Sequence, residues 1–466
     1  MTTGHQDRFP PWALALLTLV GSALIALPSF PGRMNADALD LYGQALGAPL
    51  HDWHAPLVAW LWRMIGASPA LVAVHTTLIV FAIVYAVVLT LRAHGLSSPA
   101  ALLAAFGFAL FPPVLGYLAA VSKDTWVAAL FVATFAMSSA AAPARLVHTR
   151  ATLIALAPSI RPETVLLLPL FIWGEYVLAG RKLLPAARFA GVLLLTAAAL
   201  GLFVAKVVKP EARHAEGGIF LFDLAGISIR TDQLLLTPAS FPANDLAVLQ
   251  RHYWSDSLSP IAWANPESEM VRFVVGDDLA ELRRRWESAI VAYPLAYLDT
   301  RSVIVREYLR GHWTYHPGID SNPRIHLFWP KANGMVNAYL DAAPQWLSTH
   351  WLPMIGAVVL LAAIVRLKLH RRRPEWMAYL VVAIAYQVML LPLIVVPDYR
   401  FGYAGVILFF LILGLTSRDL ALMERARTAG DDPGTKAEGI AGGLVAPVSA
   451  SAGLPGQKPI DRALHR

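Results

Sequence analysis

PWALALLTLVGSALIALPSFPGRMNADALDLYGQALGAPLHDWHAPL, residues 11–57, joins an apolar run to a link crowded with polar groups. Residues 11–30 carry no charge and are long enough to cross a bilayer as one helix. No small-residue cleavage site clearly follows, so the run reads as a retained first helix and signal anchor. The link that follows carries Asp37, Asp40, Gln44, His51 and His54 before the chain turns apolar again. Polar groups packed between two membrane segments need a reason.

Working outward, apolar runs near helix length recur at 69–91, 99–119, 125–142, 151–160 with 163–179, 187–208, 350–366, 376–396 and 402–417. Composition agrees: 57% of the 466 residues are hydrophobic, 15% are charged, and mean hydropathy is +0.54. A soluble chain of this size needs more charge to cover its surface. The fold class is therefore an all-α integral membrane protein, with about ten transmembrane helices. Its net charge of +7 is scattered over many links, which suits contact with anionic lipid and argues against nucleic acid. The absence of cysteine removes disulfides and thiolate chemistry.

Loop charge orients the spans. Arg92, then Arg145 and Arg150, then Arg181, Lys182 and Arg188 mark alternate links; Arg366, Lys368 and 371–373 follow, then Arg418, Arg425 and Arg427. The positive-inside rule puts these links and both termini in the cytoplasm, provided 151–179 crosses twice. The split falls at "SIRPE", 159–163, where Pro162 suits a helix first turn. The expected organisation is a transmembrane catalytic half over 1–208 with its first outer loop at 31–68. An outer, periplasmic segment spans 209–349, between the seventh and eighth spans. C-terminal transmembrane helices occupy 350–427. The tail at 428–466, rich in Gly, Ala, Pro and Ser, is expected to be disordered in the cytoplasm. No internal repeat is visible, which counts against transporters built on inverted repeats.

The first outer loop has amphipathic order. At 100° per residue, a helix over 36–46 puts Asp37, Asp40 and Gln44 on one face and Leu39, Tyr42 and Leu46 opposite, with Leu41 near the acids. Such a helix is expected to lie on the membrane, apolar side down. A second amphipathic piece, PLVAWLWRMIG, follows His54. The acids either solvate an interfacial helix or line a cavity. The His51-Asp52-Trp53-His54 stretch reads as a pocket wall, an interface anchor or a metal site.

Three short outer turns also carry charge. Lys123 and Asp124 open one span, where Asp124 is either an ordinary N-cap or a functional acid. Arg161 and Arg400 sit outside against the positive-inside bias, and a guanidinium fork matches phosphate oxygens. Glu163 is placed to pair with Arg161. Together these groups suit a lipid-linked donor whose phosphate lies at the interface. Cations would hold the phosphate as charge grows on it, and a carboxylate would take the proton of an attacking hydroxyl. A divalent ion such as Mg or Mn, bridging a carboxylate and the phosphate, is a further option.

The order of these features resembles the GT-C superfamily of polytopic membrane glycosyltransferases. Within it, the bacterial branch related to protein mannosyltransferases and aminoarabinose transferases is the nearest pattern. The resemblance rests on one span, then Asp37 and Asp40, then His54-Ala55-Pro56-Leu57 opening the next span, then Lys123-Asp124-Thr125, then Arg161-Pro162-Glu163. It covers roughly 11–180, with a weaker echo at Tyr399-Arg400. It implies an inverting hexosyl- or pentosyltransferase of the inner membrane, active at the periplasmic face. It implies a polyprenyl-phosphate sugar as donor and a lipid, glycan or protein acceptor. A first-loop Asp would be base or metal ligand, with Asp37 favoured and Asp40 open, and Asp124 would be a second acid that orients the site or, with Asp37, binds metal. His54, Lys123, Arg161, Glu163, Tyr399 and Arg400 would bind substrate.

In 209–349, Leu279, Leu282, Trp286, Ile290 and Tyr293 line one side of a helix that Pro294 must end. The segment either packs as a small folded layer or covers the cavity, with Trp254, Trp263, Trp313 and Trp329 available to stack on sugar rings. The rival functions are a flippase or transporter of lipid-linked sugars, a glycan polymerase or ligase, and a scaffold. The first of these expects ionisable groups deep within spans.

Overall fold

The computed structural model describes residues 9–140, 142–262, 271–310 and 325–430. Among them the regular structure is helical, with isolated bridges in place of strands. The described residues up to Arg418 form one compact unit.

Helix α1 covers Pro11–Ala26 and ends in a 3-10 turn, Leu27–Ser29. The first outer loop holds α2, Ala36–Ala45, and α3, Pro56–Ile65. Helix α4, Pro69–Ala93, is rich in β-branched residues that favour strands in water. In a bilayer the backbone must satisfy itself, so the same residues form a helix, started by Ser68 and Pro69. Then come α5, Ser98–Leu110, and α6, Pro112–Leu118, which meet at a 76° bend. Phe111 lies between them, extended at φ −62°, ψ 127°, because the ring of Pro112 keeps its predecessor out of the helical region.

Helix α7 is Lys123–Ser138, α8 is Val147–Ile160, and α9 is Leu168–Leu178. The "SIRPE" break appears as an extended Arg161 and a 3-10 turn, Pro162–Leu167. Helix α10, Leu183–Phe203, packs along α8. The outer segment contributes α11, Gly217–Thr231; α12, Leu246–His252; α13, Ser259–Ala262; α14, Gly276–Ala292; α15, Pro294–Arg310; and α16, Pro330–Asp341. The chain closes with α17, Trp351–Arg366; α18, Pro374–Leu390; and α19, Tyr403–Gly430.

Four of the described helical stretches are long and apolar enough to cross a membrane: Pro11–Ser29, Pro69–Ala93, Leu183–Val208 and Tyr399–Arg425. The bent α5–α6 pair makes a fifth if it counts as one span. This is a multi-pass membrane protein. The other expected spans are shorter helices; α18, expected to reach residue 396, stops at Leu390, where Pro392 has no N–H to continue the ladder. Trp263, Trp313 and the tail beyond Gly430 lie outside the described residues.

Two ties place the first outer loop. Arg33 N–H donates to the Ala119 carbonyl at 3.3 Å, and Val121 N–H donates to the Arg33 carbonyl at 2.8 Å. Thr76 Oγ1 donates to the Pro31 carbonyl at 2.8 Å. The chain passes so close that a Cβ on Gly32 would lie 2.3 Å from Val121 and 2.5 Å from Thr76. With φ at +152°, that position suits glycine. The loop thus reaches α7 just before Lys123. At its far end, Glu211 N–H donates to the Leu50 carbonyl at 2.8 Å and Asp52 N–H to the Glu211 carbonyl at 3.1 Å, joining loop to outer segment.

Candidate active site

Each charged side chain is set by a local device. Asn35 caps α2 by accepting from Ala38 N–H at 3.0 Å, which puts Asp37 in the first turn, where the helix dipole favours a carboxylate. Ser122, not Asp124, caps α7: its Oγ accepts from Asp124 N–H at 3.2 Å and donates to Asp124 Oδ2 at 2.8 Å. The capping role considered for Asp124 therefore belongs to its neighbour, and the Asp124 side chain is free to point inward. Asp398 Oδ1 accepts from Arg400 N–H at 3.1 Å and shapes the 3-10 turn Tyr399–Gly402.

These devices bring three distant segments together. Asp37 Oδ2 lies 3.2 Å from Arg400 Nη2, 3.7 Å from Lys123 Nζ and 3.8 Å from His54 Nδ1. One turn along α2, Asp40 accepts from Gln44 Nε2 at 2.8 Å and lies 3.2 Å from His51 Nε2 and 3.6 Å from His54 Nε2. Deeper in, Arg161 joins Asp124, reaches Glu163 at 2.6 Å through Nε, and donates to the Tyr386 hydroxyl at 3.3 Å. The Phe401 ring links the two layers, with the Arg161 guanidinium 5.2 Å and the Arg400 guanidinium 5.1 Å from its centre.

Exposure ranks the acids. The Asp40 side chain is 40% exposed and Asp37 26%, whereas Asp124 is 0%. Asp37 and Asp40 are thus reachable from outside, and Asp124 is an internal counter-ion for Arg161. Burial pushes the Asp37 carboxyl up, but Arg400, Lys123 and His54 outweigh it and hold it well below the usual carboxylate range. Burial pulls the His54 imidazole down to about 4, with Asp37 opposing, so it is neutral at pH 7.

Of the residues singled out from sequence, Asp37, Asp40, His54, Lys123, Asp124, Arg161, Glu163 and Arg400 share this cluster. Tyr399 stands behind it, fully buried, its hydroxyl donating to the Pro113 carbonyl at 3.3 Å and its ring stacked on His350. The face expected for α2 needs correction. Ala38, Leu41, Tyr42 and Ala45 are buried, and so is Gln44, while Leu46 is exposed. Gln44 turns inward because it donates to Asp40 and its Oε1 accepts from His51 N–H at 3.1 Å. The helix packs on α3.

Sequence reasoning passed over four partners. Asp398 takes Arg400 Nε at 2.8 Å and the Tyr117 hydroxyl at 3.0 Å. Its place two residues before Arg400 is the Asx-type signal that would have found it. Tyr117, Tyr386 and Phe401 lie in apolar runs and give no local signal.

Asp37 and Asp124, the expected metal ligands, each face cations, and a divalent ion at either would sit against Arg400 and Lys123 or against Arg161. Among the described residues no group of three His, Asp or Glu is arranged to hold a metal ion.

No family model matches the chain, and no curated protein matches it. Among solved structures it is similar to the archaeal oligosaccharyltransferase AglB from Archaeoglobus fulgidus, in complex with an inhibitory peptide and a dolichol-phosphate. Identity is 15% over 92% of this chain, with a TM-score of 0.40. The chain spans about half of that protein, 52% of its length.

Proposed function

We propose that this protein is a membrane glycosyltransferase that moves a sugar from a polyprenyl-phosphate donor to a lipid, glycan or protein acceptor at the outer face of a bacterial inner membrane. One observation carries the reading: a reachable carboxylate, Asp37, converges with two cations, Lys123 at the start of α7 and Arg400 just before α19.

In this reading Lys123 and Arg400 hold the donor phosphate and stabilise the charge that grows on it as the bond from sugar carbon to phosphate oxygen breaks. Asp37 accepts the proton of the acceptor hydroxyl as its oxygen forms the new bond to that carbon, opposite the leaving phosphate. The outcome is inversion. Asp40 and His54 flank the base, and the Asp124–Arg161–Glu163 layer fixes the floor. Positive charge comes from lysine and arginine here, and no step is assigned to a metal. The topology that goes with this has about ten crossings, the shorter helices included, with both termini cytoplasmic.

The flippase reading expects ionisable groups in mid-span. Outside the 209–349 segment the buried pairs lie near helix ends instead. Arg150 in the first turn of α8 meets Glu175 in the last turn of α9, and His94, just past α4, lies 3.8 Å from Glu375 at the start of α18.

The test replaces Asp37, Asp40 and Asp124 singly with Asn and follows glycan transfer in membranes. Asp37→Asn is expected to lower transfer by roughly 10²–10⁴-fold. Full transfer by all three variants would end the enzymatic reading.

A further inference from the structure

The link 391–398 leads from α18 to the turn that carries Arg400. It is irregular, yet Ile394 and Asp398 within it are buried. The outer segment grips it at two successive carbonyls. Arg301 Nη1 donates to the Ile394 carbonyl at 2.7 Å, and Leu258 N–H donates to the Val395 carbonyl at 2.9 Å.

Arg301 is itself tightly held. Its Nη2 donates to Asp223 Oδ2 at 2.8 Å, and its Nε lies 2.7 Å from Asp223 Oδ1. Trp286 Nε1 donates to the same Asp223 Oδ2 at 2.7 Å. The guanidinium also lies 5.7 Å from the centre of the Phe222 ring. Asp223 is 0% exposed and Arg301 6%. Three helices, α11, α14 and α15, thus contribute to one polar knot.

A buried ion pair is weak evidence for stability, since an apolar pair of the same volume often serves as well. What an apolar pair lacks is the third bond, from the guanidinium fork to the Ile394 carbonyl. That bond fixes the link on the α18 side of Asp398. Asp398 in turn holds both the backbone and the guanidinium of Arg400, and Arg400 reaches Asp37. The chain of contacts runs unbroken from the outer segment to the cluster.

We propose that Arg301, braced by Asp223, is a positioning residue for Arg400: the outer segment clamps the 394–395 backbone and so sets where that guanidinium presents itself. The clamp stands on its own geometry; only its effect on phosphate binding rests on the function proposed above.

The test uses the full chain in lipid nanodiscs. Asp223→Asn with Arg301→Gln removes both charges together, so neither is left buried alone. Amide exchange over 391–402 is expected to quicken by about tenfold, the effect of losing a charge-assisted bond, while α4 keeps its protection. Arg301→Lys, a milder change that keeps the charge and loses the fork, is expected to give an intermediate rate over the same residues. Unchanged exchange over 391–402, or an equal rise in α4, overturns the proposal.

A second arm measures binding of a polyprenyl phosphate. The Asp223/Arg301 double variant is expected to bind it several-fold more weakly when Arg400 is present, and to have no further effect once Arg400→Gln is introduced. Equal weakening in both backgrounds overturns the positioning role. If the unaltered protein binds no polyprenyl phosphate, the donor assignment falls and the exchange result alone decides the clamp.

Discussion

At the residue scale, the cluster makes stability depend on pH through two groups. His54 has a folded value of about 4 against an ordinary 6.5, so the folded protein resists its protonation. Its contribution is present above the ordinary value and is lost as pH falls from there toward 4. Asp37 is also depressed, so its ion pairs contribute fully above the usual carboxylate range and are lost as pH falls below it. Melting temperature in detergent is therefore expected to fall between about pH 6.5 and pH 4, and His54→Gln should flatten that fall. An unchanged slope in the variant would remove His54 as the cause. The residues of this cluster were visible in the sequence because each breaks a local rule: acids and cations stand where membrane topology disfavours them. Their pairing was not visible. Nothing local says that Lys123 and Arg400, far apart in the chain, both face Asp37 while Arg161 takes Asp124.

Among the elements, α11 and α15 show how closely the outer segment is packed. A Cβ on Gly226 would lie 2.3 Å from Thr300 Cγ2 and 2.6 Å from the Tyr253 hydroxyl. Thr300 is fully buried on a helix and has little room to move. Gly226→Val is thus expected to force α11 and α15 apart, at a cost of about 1–3 kcal/mol, seen as a lower melting temperature and faster exchange in both helices. A variant as stable as the parent would show that the contact yields freely. Helix periodicity served well here. The break at Pro294 ends α14 and starts α15, and Leu279, Leu282 and Trp286 pack on the core side as expected. It served less well for α2, where hydrogen bonds from Gln44 outweigh polarity and turn an amide inward. Periodicity reads transfer from water; it does not see a partner waiting inside.

For the whole molecule, hydropathy identified the membrane class, and length with composition marks four candidate crossings, or five with the bent pair. The remaining expected crossings are helices too short to settle by length, since breaks at Pro112, Pro162 and Pro392 divide the apolar runs. Orientation has a direct test because the chain has no cysteine. Arg213→Cys, exposed at the start of the outer segment, is expected to react with an impermeant maleimide in intact cells. Arg181→Cys, exposed between α9 and α10, should react only after permeabilisation. Labelling of both from the same side would refute the topology. The shared cations, finally, have a consequence in time. Lys123 and Arg400 cannot serve Asp37 and a donor phosphate equally at once. With both cations against it, the Asp37 carboxylate is a feeble base. A donor phosphate, as proposed above, would draw both cations away, and the carboxylate would regain its appetite for a proton. Under the proposed function the machinery would be armed by its first substrate, which would make turnover ordered, donor before acceptor, and leave stray water little to react with in between.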